Sequence, residues 1–355
     1  MNNFYPLPEW HPQDATVLVW PHRYSDWSDS LDVISATYIE LTKVIADHQH
    51  VIIIYYDHEH RDLINTECSK CGCNMNHIRL LQIETNDTWV RDYGPQLLLG
   101  NQEYQYVDLE FNAWGEQYPY RLDNLFSESL FYHLVDQSTC TYYRAPIVIE
   151  GGNLDFDSNA SLLINLSCVI QNNSALKIKK EDLIDVIKRE LSVKRVLGIE
   201  LEPLMGDDTG GHIDTLARFI NDDTIVYAHT QNKNDPNYST LKQLHEQLTQ
   251  FKTGKGKAYR LVPIQNPVYE PEINEEDYPP ASYINFIFIN DAMIIPMYDN
   301  IKDAEALKKF SDLLPDRKII GVNANSLLSQ FGSLHCATLH IPEKVLHESR
   351  LNSAK

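Results

Sequence analysis

Apolar positions in this chain fall into two rhythms. Val51-Ile52-Ile53-Ile54-Tyr55-Tyr56 is continuously apolar and β-branched, as a strand buried on both faces requires, and residues 15–20 form a similar run ended by Pro21. Between them Leu31, Ile34, Tyr38, Leu41 and Ile45 recur at helical spacing, with Asp29 and Ser30 as capping candidates. The alternation continues with a helix around 58–67, an extended run at 78–83, and a strand pair at 96–99 and 104–109 turned by Gly100-Asn101. Further on the pattern predicts a helix near 122–136, a strand at 145–149, strands through 160–170, a helix at 181–191 and a strand at 195–199. A hairpin about Asn221-Asp222-Asp223 follows, then a helix at 238–251 and a strand at 258–262. The last predicted elements are a strand pair at 283–289 and 292–296, a helix at 303–314 and a strand at 318–321.

One helix per ~60 to 70 residues, with paired strands between, points to internal repetition. Periodicity does not say whether the units close into a ring. No linker or low-complexity block divides the chain, so the expectation is one α/β domain over residues 1–345 and a C-terminal tail at 346–355. The acidic stretch at 271–277 reads as a solvated loop.

Charge narrows the function. Across 355 residues, 30 Lys+Arg against 50 Asp+Glu give a net charge of −20, which argues against nucleic acid or an anionic membrane as partner and favours a cationic one. The N-terminal residues lack a signal-peptide pattern and no apolar run spans a bilayer, so a cytoplasmic location is expected. The six cysteines then read as free thiols. Cys68-x-x-Cys71-x-Cys73, with His77 behind it, has the outline of a zinc knuckle, but crowded ligands and the missing second pair favour a surface loop of reduced cysteines.

Candidate chemistry centres on Gly210-Gly211-His212-Ile213-Asp214, read as a loop opening into a hairpin. On an extended segment alternate residues share a face, so His212 and Asp214 would act as an acid/base pair. Asp92, Glu150 and Cys336 also sit beside strand ends on glycine- or proline-containing loops. Singly, each has an ordinary structural reading: a local ion pair for Asp92, a turn for Glu150, a buried ring for His212, a core thiol for Cys336. Together they pose a chemical question. A thiol needs activation, and three carboxylates oppose it unless the substrate is itself a cation. A guanidinium fits, being planar, permanently charged and matched to carboxylates by paired hydrogen bonds.

Trp89-Val90-Arg91-Asp92-Tyr93-Gly94-Pro95, Glu150-Gly151-Gly152-Asn153, Gly211-His212-Ile213-Asp214 and His335-Cys336-Ala337-Thr338 resemble the agmatine deiminase and bacterial peptidylarginine deiminase family, over nearly the whole chain. The resemblance implies the pentein fold, a five-bladed α/β propeller of ββαβ pseudo-repeats, with no metal and no organic cofactor. It makes Cys336 the nucleophile, Asp92 and Asp214 the guanidinium holders, and His212, oriented by Glu150, the general acid and base. Trp89 and Trp114 join the substrate-binding residues by the same carry-over. A small cationic guanidine substrate, agmatine foremost, and a homodimer are also implied. Gln330-Phe331-Gly332-Ser333-Leu334 departs from the family's run of glycines before the His-Cys pair. That places the substrate's far end in question, and Arg121, Arg144 or Arg218 stands as a partner for a carboxylate if the substrate is peptidyl or free arginine. Two other classes compete: a non-catalytic pentein binding module like the translation initiation factor 6 family, and a zinc hydrolase using His212, Asp214 and Cys336.

Overall fold

The computed structural model describes residues 4–269 and 278–347; the acidic stretch at 271–277 lies outside them, as does most of the 346–355 tail. Among the described residues the strands form five sheets with one recurring connection. A first strand pairs antiparallel with a second, a helix crosses over, and a third strand lies parallel to the second. Ala217–Asn221, Thr224–His229 and Arg260–Gln265 make one such unit, with helix Tyr238–Leu248 in the crossover. Ile287–Ile289, Ala292–Met297 and Lys318–Asn323 repeat it around helix Asp303–Leu313. Gln96–Leu99, Tyr104–Glu110 and Cys140–Val148 do so around helix Phe126–Leu134, and Asp155–Phe156, Ser161–Asn165 and Arg195–Ile199 around helix Lys180–Glu190.

The remaining unit joins the two ends of the chain. Thr338–Pro342 runs antiparallel to Gln13–Val19, which lies parallel to His50–Tyr55 across helix Leu31–Ala46; Ile78–Gln82 completes the sheet. The internal repetition read from helix spacing is therefore present, and the fold is mixed α/β with several separate sheets. Middle strands such as Thr224–His229 and Ala292–Met297 are buried almost throughout, which explains why they read as unbroken apolar runs.

Three elements differ from expectation. The strand predicted through 160–170 stops at Asn165, whose side chain accepts from Ser167 N–H at 3.2 Å and caps helix Leu166–Asn172. In the predicted 283–289 strand only Ile287–Ile289 is extended, because the preceding loop spends its polar groups on the His212 loop: Ser282 Oγ donates to Thr215 O at 2.7 Å and Asn285 Nδ2 to Asp214 O at 3.4 Å. Cys68 lies inside helix His58–Lys70 rather than on a loop. Cys71 is exposed, and His77 Nδ1 is turned to Ala46 O at 2.6 Å, so these residues do not converge on a common point.

Candidate active site

Each unit delivers polar groups from the loop that enters its first strand. Asp92 precedes Gln96–Leu99, Glu150 precedes Asp155–Phe156, His212 and Asp214 precede Ala217–Asn221, Asn285 precedes Ile287–Ile289, and Cys336 precedes Thr338–Pro342. The five sequence-predicted groups meet in one buried place. Asn285 joins them, within 3.4 Å of Cys336 Sγ through its amide nitrogen.

His212 and Asp214 reach the site by a different local geometry from the one expected. Gly210 and Gly211 adopt φ of 85° and 90°, and a Cβ on Gly211 would sit 2.8 Å from Asn165 Nδ2, so only glycine fits there. The chain then enters a single helical turn, Ile213–Leu216, with His212 as its N-terminal flank. The two side chains share the site through that turn and not through strand alternation.

Asp92 is held from two sides: Gly152 N–H donates to Oδ1 at 2.8 Å and Trp114 Nε1–H to Oδ2 at 3.1 Å. Trp114 achieves this from a left-handed turn, Ala113, Trp114, Gly115 and Glu116 all having positive φ. Left-handed backbone costs roughly 1–2 kcal/mol per non-glycine residue, so the turn persists because its bonds offset that cost. Asn112 Oδ1 accepts from Gly115 N–H, and Gln117 donates to Trp114 O.

His212 lies between carboxylates. Its Nδ1 is 3.5 Å from Asp92 Oδ1 and its Nε2 is 3.8 Å from Glu150 Oε2. Glu150 is fixed in turn by Asn172 Nδ2, which donates to Oε1 at 2.7 Å. Cys168 fills the remaining side, its thiol 3.8 Å from Glu150 Oε2 and 3.5 Å from Thr209 O. Among the described residues Glu150, Cys168 and His212 form the one group of His, Cys and carboxylate ligands close enough to hold a metal ion. That differs from the His212, Asp214 and Cys336 set a zinc hydrolase would need.

Cys336 is 9% exposed, with Asp214 Oδ2 3.8 Å from its sulfur. Behind Asp214, His335 bridges two carboxylates, Nδ1 to Asp214 Oδ2 and Nε2 to Glu9 Oε2, both at 2.7 Å. Glu9 also accepts from Arg218 at 2.8 Å, and Arg218 binds Asp155 at 2.8 Å. Sequence reasoning missed this layer. His335 had stood in a quoted motif without a role, while Glu9 lies 326 residues from its partner. The proposed carboxylate partners also fall away. Arg218 is committed to Glu9 and Asp155, Arg144 to Asp108 and Asn124, and Arg121 is exposed outside the pocket.

Electrostatics follow from this packing. Burial pushes the Cys336 thiol well above its ordinary range, and Asp214 and Asp92 push it further. Burial alone would discharge His212, yet Asp92 and its contacts with Cys168 and Glu150 raise it well above the ordinary imidazole value. Burial lifts Asp92 to about 6, more than His212 pulls it down. Burial would lift Asp214 too, but the hydrogen bond and charge of His335 hold it below the usual range.

A cavity of about 250 Å³ opens onto Cys336. Its acidic wall is Asp26, Asp87, Asp92 and Asp208; its aromatic wall is Trp89, Trp114, Tyr118 and Phe331. No Lys or Arg is among the described residues lining it. Burial raises Asp87 to about 7; burial with the neighbouring Asp207 raises Asp208 to about 6. The volume suits a small ligand, since drug-sized ones occupy roughly 300–1,000 Å³.

Comparison with known proteins gives a consistent picture. Residues 5–342 match the model of the Porphyromonas-type peptidyl-arginine deiminases. The chain is 27% identical to an agmatine deiminase of Ectopseudomonas mendocina over 96% of both sequences. It superposes on a substrate-bound agmatine deiminase of C. jejuni with TM-score 0.86 and 31% identity, covering 97% of each chain. A Porphyromonas gingivalis structure provisionally described as an arginine deiminase gives TM-score 0.86 and 35% identity, covering 97% of this chain and all of that one.

Proposed function

The chain belongs to the Porphyromonas-type peptidyl-arginine deiminase family, and from that premise we propose that it hydrolyses agmatine to N-carbamoylputrescine and ammonia. It is a hydrolytic guanidine deiminase. The observation that carries the choice of substrate is the pocket wall: four aspartates and no lysine or arginine are among the described residues that line it. Agmatine ends in an ammonium, whose charge would draw Asp208 and Asp87 into their ionised forms, whereas the carboxylate of arginine would find no cationic partner among the described residues lining the pocket.

In this reading the guanidinium lies between Asp92 and Asp214, its plane against Trp89. Its arrival supplies the positive charge that the Cys336 thiol lacks, so the thiol loses its proton to water and the thiolate formed attacks the guanidino carbon. His212, protonated at rest, gives its proton to the departing nitrogen, which leaves as ammonia. The neutral imidazole, oriented by Glu150, then takes a proton from water as that water attacks the thiouronium carbon. Collapse breaks the C–S bond, and the hydroxyl proton passes to the departing Cys336 thiolate, which leaves the neutral ureido product and the resting thiol. Support comes from the distances around His212 and from the opposed shifts of His212 and Asp214.

The same reading carries a five-bladed propeller in one domain over residues 1–345, a homodimer, a cytoplasmic location and a role in putrescine synthesis. Five repeated sheet units and the pairing of Thr338–Pro342 with Gln13–Val19 support the propeller. No helix among the described residues is long and apolar enough to cross a membrane. Ammonia release from agmatine, free arginine, an arginine peptide and methylated arginine, with Cys336→Ala alongside, tests the substrate. Release from agmatine alone, lost in the variant, is the expected result. Release from the arginine compounds instead would move the protein to the peptidyl or free arginine reading.

A further inference from the structure

The loop carrying Gln330, Phe331 and Gly332 into the pocket wall closes the short helix Asn325–Leu328. Phe331 N–H donates to Leu328 O at 3.1 Å and Gly332 N–H to Leu327 O at 3.3 Å. Phe331 takes the left-handed position in that closure, with φ 62°. Glycine or asparagine usually stands there, because a bulkier residue crowds its own backbone. A large side chain in left-handed backbone persists only where something else holds it, and such outliers gather at ligand clamps.

Packing does not hold this one, since Phe331 is 41% exposed. Trp114 supplies the contrast: it is also left-handed, but its indole is buried and bonded to Asp92. Phe331 lines the same cavity as Cys336. The loop is pressed close to that cavity, because a Cβ on Gly332 would come within 2.2 Å of the Trp89 ring. The closing bonds hold the Phe331 backbone, but its ring, unlike the indole of Trp114, is left exposed in the aromatic wall that would flank a substrate's alkyl chain.

We propose that Phe331 is the specificity-determining residue at the pocket mouth: its ring covers the alkyl chain of a small linear guanidine and narrows entry against a guanidine carried on a polypeptide. This rests on the deiminase reading above and adds the residue that sets the size limit. Gly332 fixes the loop against Trp89, and Phe331 beside it lines the cavity with an exposed ring.

Agmatine affinity measured by calorimetry on the Cys336→Ala background tests this without turnover, with Phe331→Gly, Phe331→Asn and Phe331→Tyr added in turn. Glycine and asparagine suit left-handed backbone, so both variants keep the loop and melt no lower than their parent. Kd is expected to weaken about tenfold in both, and tyrosine to restore it. With Cys336 present, Phe331→Gly and Phe331→Asn raise KM for agmatine by about the same factor while kcat stays within about twofold, and turnover of an arginine peptide rises relative to agmatine. Agmatine binding that ignores residue 331, with an unchanged peptide-to-agmatine ratio, overturns this proposal alone. No agmatine binding by the Cys336→Ala protein, and no ammonia release by the wild type, sinks the functional reading and this proposal with it.

Discussion

Replacing Gly152 with alanine would place a methyl group 2.6 Å from Asp92 Oδ1, 2.8 Å from His212 Nδ1 and 3.2 Å from Asp214 Oδ2. Its φ is not in the left-handed region, so the backbone accepts alanine and the effect is purely steric. To reach ordinary contact near 3.4 Å, Asp92 must retreat by about 0.8 Å and His212 by about 0.6 Å. Both are walled in, Asp92 by Trp114 and the Gly152 amide, His212 by Glu150 and Cys168. A misplacement of about 1 Å in a catalytic array costs on the order of 10²-fold in rate. Overpacking costs about 1–3 kcal/mol of stability, which a fold of this size tolerates. The expected outcome is a folded Gly152→Ala protein whose kcat/KM for agmatine falls about 100-fold, read by coupled ammonia release beside a thermal melt. A kcat/KM within about threefold of wild type, with a normal melt, would refute the geometry assigned to these three side chains.

Titration supplies a second test: Asp87, at about 7, and Asp92, Asp155 and Asp208, at about 6, bind protons more tightly when folded than in the unfolded chain. Their contribution to stability is complete below the ordinary carboxylate range and lost as pH rises through 6 to 7; His22, His60 and His340, which burial holds at about 4, 4 and 3, work the other way up to about 6.5, so melting temperature should fall only from about pH 6.5 to pH 8, and a rise across that window would contradict the burial assigned to Asp87. Activity should run the other way on its acid limb, declining as Asp92 takes a proton near 6, and a profile flat down to pH 5 would count against Asp92 as a guanidinium holder. Asp208→Asn is expected to raise KM for agmatine about tenfold with little change in kcat, and an unchanged KM would remove Asp208 from the ammonium end. His335→Ala leaves Asp214 without its imidazole partner, while Glu9 keeps Arg218, and should cost about 3–5 kcal/mol in urea unfolding, whereas a loss under 1 kcal/mol would show the bridge to be slack.

Much of the site was legible because its five predicted groups share one local signature, a reactive residue on a loop at a strand end. Asp92, Glu150, His212, Asp214 and Cys336 meet as that signature implied. What escaped depends on distance along the chain or on unusual backbone. Glu9 acquires its meaning only when the loop before Thr338–Pro342 brings His335 to it. Asn285 sits at the corresponding place in its own unit and needed the repeat to be aligned before it stood out. The Thr338–Pro342 strand was overlooked because it is short, holds a polar His340, and takes its partner from the opposite end of the sequence. No propensity would foresee four consecutive positive φ values from Ala113 to Glu116, three of them not glycine; bonds from Asn112 and Gln117 hold that turn. Helix Leu166–Asn172 followed a run that looked like more strand, and it brings both Cys168 and Asn172 to Glu150.

The central claim is that the Cys336 sulfur bonds to the carbon of a guanidinium. Mass spectrometry of acid-quenched enzyme after brief mixing with agmatine addresses it most directly. The account predicts an adduct with the mass of agmatine less ammonia on the peptide containing Cys336, present during turnover and absent from Cys336→Ala, which releases no ammonia. Turnover by Cys336→Ala, with no adduct on the wild-type peptide at any time point, would contradict it.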